Sequence, residues 1–192
     1  TLICAIGACF LLHGAIRKAP VAFYIAAICL DALYVASSFI EMPRAIWLAL
    51  FLMIQKCILP LALFTIVMYI GCFAKESFIS KRLRPIRSEL SIIAWLLSLG
   101  HVTVYLYAYL PQFINSGVVS ENVSIAFSIA IALLILLMVL GITSFNFVKK
   151  CMRTATWMIV QKAAYVFFAL TFAHLAFMLL PSALSGGTAA QA

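Results

Sequence analysis

An all-α, polytopic transmembrane bundle of about six spans, forming one domain over residues 1–180, is the fold this sequence predicts. Three observations carry the prediction. Mean hydropathy is +1.19 and only 9% of the 192 residues are charged, too little polar surface to clothe a water-soluble globule. Apolar stretches recur along the chain, most of them near the roughly 20 residues a helix needs to cross the hydrocarbon. Basic residues gather between alternate stretches, the pattern that sets orientation in a bilayer.

Taken in order, the expected spans are 1–16, 20–40, 46–73, 88–110, 123–145 and 155–180. The first is short and follows Thr1 rather than a Met, which leaves open the loss of residues ahead of it. It runs directly into Arg17 and Lys18 with no small-residue cleavage pattern, so a signal peptide is the weaker reading. Beyond the last span, residues 181–192 with "SALSGGTAAQA" read as a flexible extracytoplasmic tail.

Orientation follows from ten basic residues: Arg17, Lys18, Lys75, Lys81, Arg82, Arg84, Arg87, Lys149, Lys150 and Arg153. All ten fall in three alternate loops, and the opposite loops hold Arg44 alone. The positive-inside rule then makes the ten cytoplasmic and puts both termini outside a cell membrane. The net charge of +8 is mostly this asymmetry, with anionic lipid headgroups as its partner, so nucleic-acid binding need not be invoked. The six cysteines form no CxxC, which argues against a membrane thiol oxidoreductase. Those inside the spans read as small apolar side chains.

Ionisable groups within a bilayer are costly and therefore informative. Asp31 and Lys56 both fall near mid-membrane, where an ion pair could set helix register or line a proton or ion path. The histidines pose a different question. His101 lies ten residues before Pro111 and His174 seven before Pro181. At 1.5 Å per residue this places them roughly 15 and 10 Å from the outer ends of the fourth and sixth spans. Two imidazoles at matched depth on different helices could clamp one haem as axial ligands, although a lone intramembrane histidine also serves to bond a neighbouring carbonyl. Gly100, beside His101, removes a side chain where a macrocycle needs close approach, and it also suits plain helix packing. His13, four residues before Arg17, has no partner at its depth and is read as an interfacial hydrogen-bonding residue.

The stretches "RLRPIRSELSIIAWLLSLGHVTVYLYAYL" and "GITSFNFVKKCMRTATWMIVQKAAYVFFALTFAHLAFML" resemble the ferric-reductase-like transmembrane superfamily. The likeness is to its MsrQ (YedZ)-like haem b subunits in particular. It covers about residues 82–178: a basic loop and histidine helix, then the later "TS…W..LH..Y…H" pair of helices. It implies a cytochrome b subunit that relays electrons through one bis-His haem, with His101 and His174 as iron ligands. The chain departs from the pattern at Gln161, where the MsrQ-like pattern has a further histidine. Arg87 and Ser88 stand where two-haem relatives carry another ligand. An inner haem is therefore not implied.

A single outer haem raises the question of its electron donor, because the chain has no GxGxxG dinucleotide motif. Quinol, a bound flavin and a second redox subunit remain, and quinol is preferred, docking in an aromatic groove offered by Tyr105, Tyr107 and Tyr109. The resemblance also implies an extracytoplasmic redox partner. Arg44 is a candidate counter-ion for the haem propionates. The alternative reading, from another functional class, is a small transporter or channel-like subunit using Asp31 and Lys56, and an assembly subunit is a further one.

Overall fold

In the computed structural model, which describes residues 1–37, 39–114 and 121–186, the chain is helical with no strand among the described residues. The helices are α1 (Leu2–Lys18), α2 (Pro20–Ala36), α3 (Arg44–Leu50), α4 (Ile58–Ile70), α5 (Phe78–Leu83), α6 (Arg87–Ile114), α7 (Glu121–Ser144), α8 (Asn146–Cys151) and α9 (Thr154–Leu184). A π-helical turn, Phe51–Gln55, extends α3, and a 3-10 turn, Arg84–Ile86, joins α5 to α6.

Among the described residues, three helices are long and apolar enough to cross a membrane: Phe78–Ile114 with its 3-10 turn, Glu121–Ser144 and Thr154–Leu184. Two bent pairs raise the number to five if each is one span, against the six expected from the sequence. The difference lies at the N-terminus. There α1 and α2, of 17 residues each, meet at an angle of 117°. Seventeen residues rise about 26 Å, short of the hydrocarbon core of about 30 Å. Pro20 causes the turn, because it offers no N–H and pushes the residue before it out of the helical region. Ala19 accordingly sits at φ −136°, ψ 61°.

The second break lies within the expected third span, where α3 with its π turn meets α4 at 42°. Pro60 is its cause. It removes the N–H that would serve the Gln55 carbonyl in π register and the Lys56 carbonyl in α register. Cys57 takes up the turn with a left-handed φ of 54°, a conformation that side chains other than glycine adopt at some cost. Prolines elsewhere do not end their helices: α6 runs through Pro111 to Ile114, and α9 through Pro181 to Leu184. Beside Pro111, the Gln112 side chain donates to the Ala108 carbonyl at 2.9 Å. The expected tail at 181–192 thus begins as helix, and its residues 187–192 lie outside the described residues.

The chain divides into two compact units, Thr1–Val104 and Tyr105–Ala192, with the boundary inside α6. The first unit has a conventional core. Leu90, Ile93, Ala94 and Leu97 recur at the three- and four-residue spacing of one helix face and are buried with Ala62, Ile66 and Ile70 of α4 and Ala5, Cys9 and Ile16 of α1. Small residues on α1 let backbones approach, which is how helices gain packing energy where lipid is as apolar as leucine. At one end of the unit, arginines satisfy carbonyls across helices. Arg82 Nε donates to Phe10 O at 3.3 Å and Arg87 Nε to Val67 O at 3.1 Å.

The second unit is built on the antiparallel pair α7 and α9, joined through short α8. Trp157 Nε1 donates to Thr143 O at 3.0 Å near the connection. Few of the pair's apolar side chains are fully buried, and some are widely exposed, Phe172 at 76% and Tyr165 at 71% among them, the surface a lipid-facing hairpin presents.

Candidate functional site

In the first unit, a polar cluster forms where α2, the broken α3–α4 segment and α6 meet. His101 projects from α6, and its Nδ1 lies 2.5 Å from the Gln55 carbonyl, the oxygen that the Pro60 break leaves without its helical donor. A carbonyl can only accept, so Nδ1 carries the hydrogen and the lone pair resides on Nε2. One residue earlier, the Gly100 N–H donates to Asp31 Oδ2 at 3.0 Å. Asp31 Oδ1 is buried without a hydrogen-bond partner. A Cβ on Gly100 would stand 2.6 Å from Asp31 Oδ1 and 2.9 Å from Ile54 Cγ2, so only glycine permits this approach. The Ser98 hydroxyl, on the same helix, donates to Ala94 O at 2.7 Å.

His174 has a parallel environment in the second unit. Its Nδ1 lies 2.9 Å from the Ala126 carbonyl of α7, which again leaves the Nε2 lone pair as the basic site. The ring thereby bridges α7 and α9. Metal-ligating histidines characteristically donate their other ring N–H to a carbonyl or carboxylate, which fixes the ring and raises the basicity of the ligating nitrogen. The donor chemistry of both histidines suits axial ligation of a haem iron through Nε2. Among the described residues there is no group of three or more His, Cys, Asp or Glu that could hold a bare metal ion.

Several expectations change. Asp31 and Lys56 form no ion pair: Asp31 turns to Gly100, and the Lys56 ammonium lies 5.3 Å from the Phe51 ring centroid. The cause is the break, since Lys56 stands exposed at the end of the π turn, where the helix has stopped. The space at Gly100 that would admit a macrocycle is taken by Asp31 and Ile54. Tyr105, Tyr107 and Tyr109 do not line one groove. Tyr105 and Tyr109 stack at 6.0 Å, while Tyr107, 86% exposed, points away. Helical geometry requires this, because residues two apart lie on opposed faces. Arg44 is exposed at the first turn of α3.

Other residues stand as the sequence led one to expect or add to it. His13 Nδ1 donates to Phe10 O at 3.0 Å, a local interfacial bond. Gln161 Nε2 donates to Thr143 Oγ1 at 3.1 Å, so the side chain at the departed histidine position joins α9 to α7. Nothing in the sequence marked the Gln55 carbonyl as a partner of His101. Pro60, five residues after Gln55, was the one available signal.

A profile of the family described as "Ferric reductase like transmembrane component" matches residues 56–172, more than half of the chain. The chain belongs to this family. The match starts at Lys56, earlier than the resemblance seen in the sequence, and includes the break at Cys57 as well as His101 and Gln161. It ends two residues before His174. As a ferric-reductase-like protein with several apolar helices, the chain is a multi-pass membrane protein of the redox class. An uncharacterized protein of Treponema pallidum (strain Nichols) is 36% identical over 126 residues, 65% of this chain and 35% of that protein. The chain therefore spans about a third of the length of this relative. No solved structure matches.

Proposed function

We propose that this ferric-reductase-like protein is a cytochrome b subunit of the cell membrane, carrying electrons through one haem b whose axial ligands are His101 and His174. The observation that carries the reading is a shared orientation: both rings give Nδ1–H to a backbone carbonyl, the arrangement that fixes a ligating histidine. Bound haem supplies a reversible one-electron couple, tuned by its ligands and their burial. The protein's own part is to fix each imidazole within its own unit through an Nδ1–H bond to a backbone carbonyl. Gln161, where the MsrQ-like pattern has a further histidine, is engaged with Thr143.

Lipid-soluble quinol is the donor in this reading. Its oxidation to quinone releases two protons and two electrons, and a haem held by His101 and His174 would supply the one-electron couple that takes them in succession. The acceptor is an extracytoplasmic redox partner, on the face opposite the basic loops at residues 75–87 and 149–153 that the positive-inside rule makes cytoplasmic. Arg44, exposed at a helix start, is the proposed counter-ion of the haem propionates. A transport path through Asp31 and Lys56 is less well supported, because the two are not paired.

The test is a reduced-minus-oxidised absorption spectrum of the purified protein beside His101→Ala and His174→Ala variants. A b-type spectrum in the wild type, lost in both variants, is expected. Folded wild-type protein that binds no haem refutes the reading.

A further inference from the structure

Where α1 meets α5 in the first unit, a guanidinium, an imidazole and two aromatic rings gather around one backbone oxygen. Arg82 Nε, on α5, and His13 Nδ1, on α1, both donate to Phe10 O, at 3.3 and 3.0 Å. The Phe10 and Phe78 rings stack at 5.8 Å, and the Arg82 guanidinium lies 5.9 Å from the Phe78 centroid. Only Nε is engaged by the carbonyl, so the two Nη groups keep their planar fork of donors. Arg17 follows Phe10 by seven residues and His13 by four, which puts it on the same face of α1. Neither arginine forms a salt bridge among the described residues. Three neighbouring cations are directed elsewhere: Lys81 pairs with Glu76 at 3.2 Å, Arg84 bonds to Ser80 at 3.0 Å, and Arg87 to Val67 O at 3.1 Å.

Phe78 is 68% exposed, and an open aromatic ring beside an unpaired guanidinium suits a ligand that is anionic at one end and apolar at the other. We infer that Arg82, with Arg17 and His13, holds the phosphate of an anionic phospholipid whose acyl chain lies over Phe78 and Phe10. The guanidinium fork matches two phosphate oxygens, and its Nε bond orients the fork before the ligand arrives. Position selects a lipid over a soluble phosphate. Arg82, Arg84 and Arg87 directly precede the apolar run of α6, inside the segment Phe78–Ile114 that is long enough to span, so the cluster stands at headgroup level. Ile6, one turn from Phe10 and 38% exposed, extends the apolar side along α1 away from the cations. The general attraction of basic loops to an anionic leaflet is diffuse, whereas this site holds one phosphate between α1 and α5. It stands whether or not the protein carries haem.

The experiment uses the whole protein in phosphatidylcholine nanodiscs doped with phosphatidylglycerol that carries a diazirine on its acyl chain. Label on the peptides holding residues 6–17 and 78–82 is expected. The mole fraction of labelled lipid that gives half-maximal labelling there should rise about fivefold in Arg17→Gln and in Arg82→Gln, the effect of one basic residue beside an anionic headgroup. Arg17→Gln breaks no hydrogen bond among the described residues, so it tests the site even if Arg82→Gln, which loses the bond to Phe10 O, loosens α5. Lys75→Gln removes equal charge from the same basic loop and should leave the labelling unchanged. Unlabelled phosphatidylglycerol should compete, and glycerophosphoglycerol, the same headgroup without chains, should not. Label spread evenly over the lipid-facing helices, an equal loss in Lys75→Gln, or labelling unchanged in Arg17→Gln overturns the site. Competition by glycerophosphoglycerol as strong as by the lipid would make this a site for soluble phosphates and overturn the phospholipid as its ligand.

Discussion

Gly100→Ala gives a prediction whose sign alone is decisive. In a helix interior, replacing glycine by alanine gains about 1 kcal/mol from backbone entropy and propensity. At this site the new methyl would lie 2.6 Å from Asp31 Oδ1, 2.8 Å from its Cγ and 2.9 Å from Ile54 Cγ2, all closer than real Cβ contacts. Two of these atoms belong to a short side chain whose other oxygen holds the Gly100 N–H at 3.0 Å, so relief by moving Asp31 breaks that bond. Overpacking costs about 1–3 kcal/mol and loss of a hydrogen bond to a carboxyl group about 1–3 more, against the gain of about 1. Net destabilisation of about 1–5 kcal/mol follows, and for a chain of this size each kcal/mol lowers the melting temperature by about 2–4 °C. Thermal unfolding in detergent, followed by intrinsic fluorescence, reads it. The double variant Asp31→Ala/Gly100→Ala should recover part of the loss, because the main clash is removed. A Gly100→Ala protein as stable as wild type, or more so, would refute the close α2–α6 approach and the carboxyl cluster built on it.

Three other expectations are independent of that contact. Pro60→Ala restores the missing N–H, so the Gln55 carbonyl gains a helical donor that competes with His101; haem affinity should fall about tenfold by titration into apoprotein, in the range usual for loss of a partner that orients a ligand. Gln161→Leu removes the bond to Thr143 and should cost about 0.6 kcal/mol in unfolding experiments, with haem content unchanged, because Gln161 serves helix packing. Lys56→Ala and Asp31→Ala should be additive within about 0.5 kcal/mol in a double-mutant cycle, since no ion pair joins them; a larger coupling would show that they interact.

Much of the architecture was legible because the bilayer imposes its demand locally. An apolar stretch of span length, such as 123–145, or 155–180 with Lys162 as its one charge, must become a helix whatever surrounds it, and α7 and α9 follow those bounds closely. The family, too, was visible in the two histidine segments, and its profile covers most of both. Proline was harder to read, because its effect depends on what can replace the lost N–H. At Ala19 and Cys57 the chain bends, whereas at Pro111 and Pro181 the helix continues.

The site divides along the same line. The sequence by itself determined that the chain lives in lipid, that ionisable side chains such as Asp31, His101 and His174 are costly in apolar stretches, and that each of these histidines precedes a proline by seven to ten residues. Tertiary structure alone decided their partners. Asp31 takes a backbone N–H 69 residues away rather than Lys56, and His101 takes a carbonyl 46 residues away that a proline had released. Hydropathy sums over neighbours in sequence and so is read from the sequence directly. A hydrogen bond depends on which atoms of distant segments meet at about 3 Å, and that is fixed only when a glycine, a helix break and a packed face coincide.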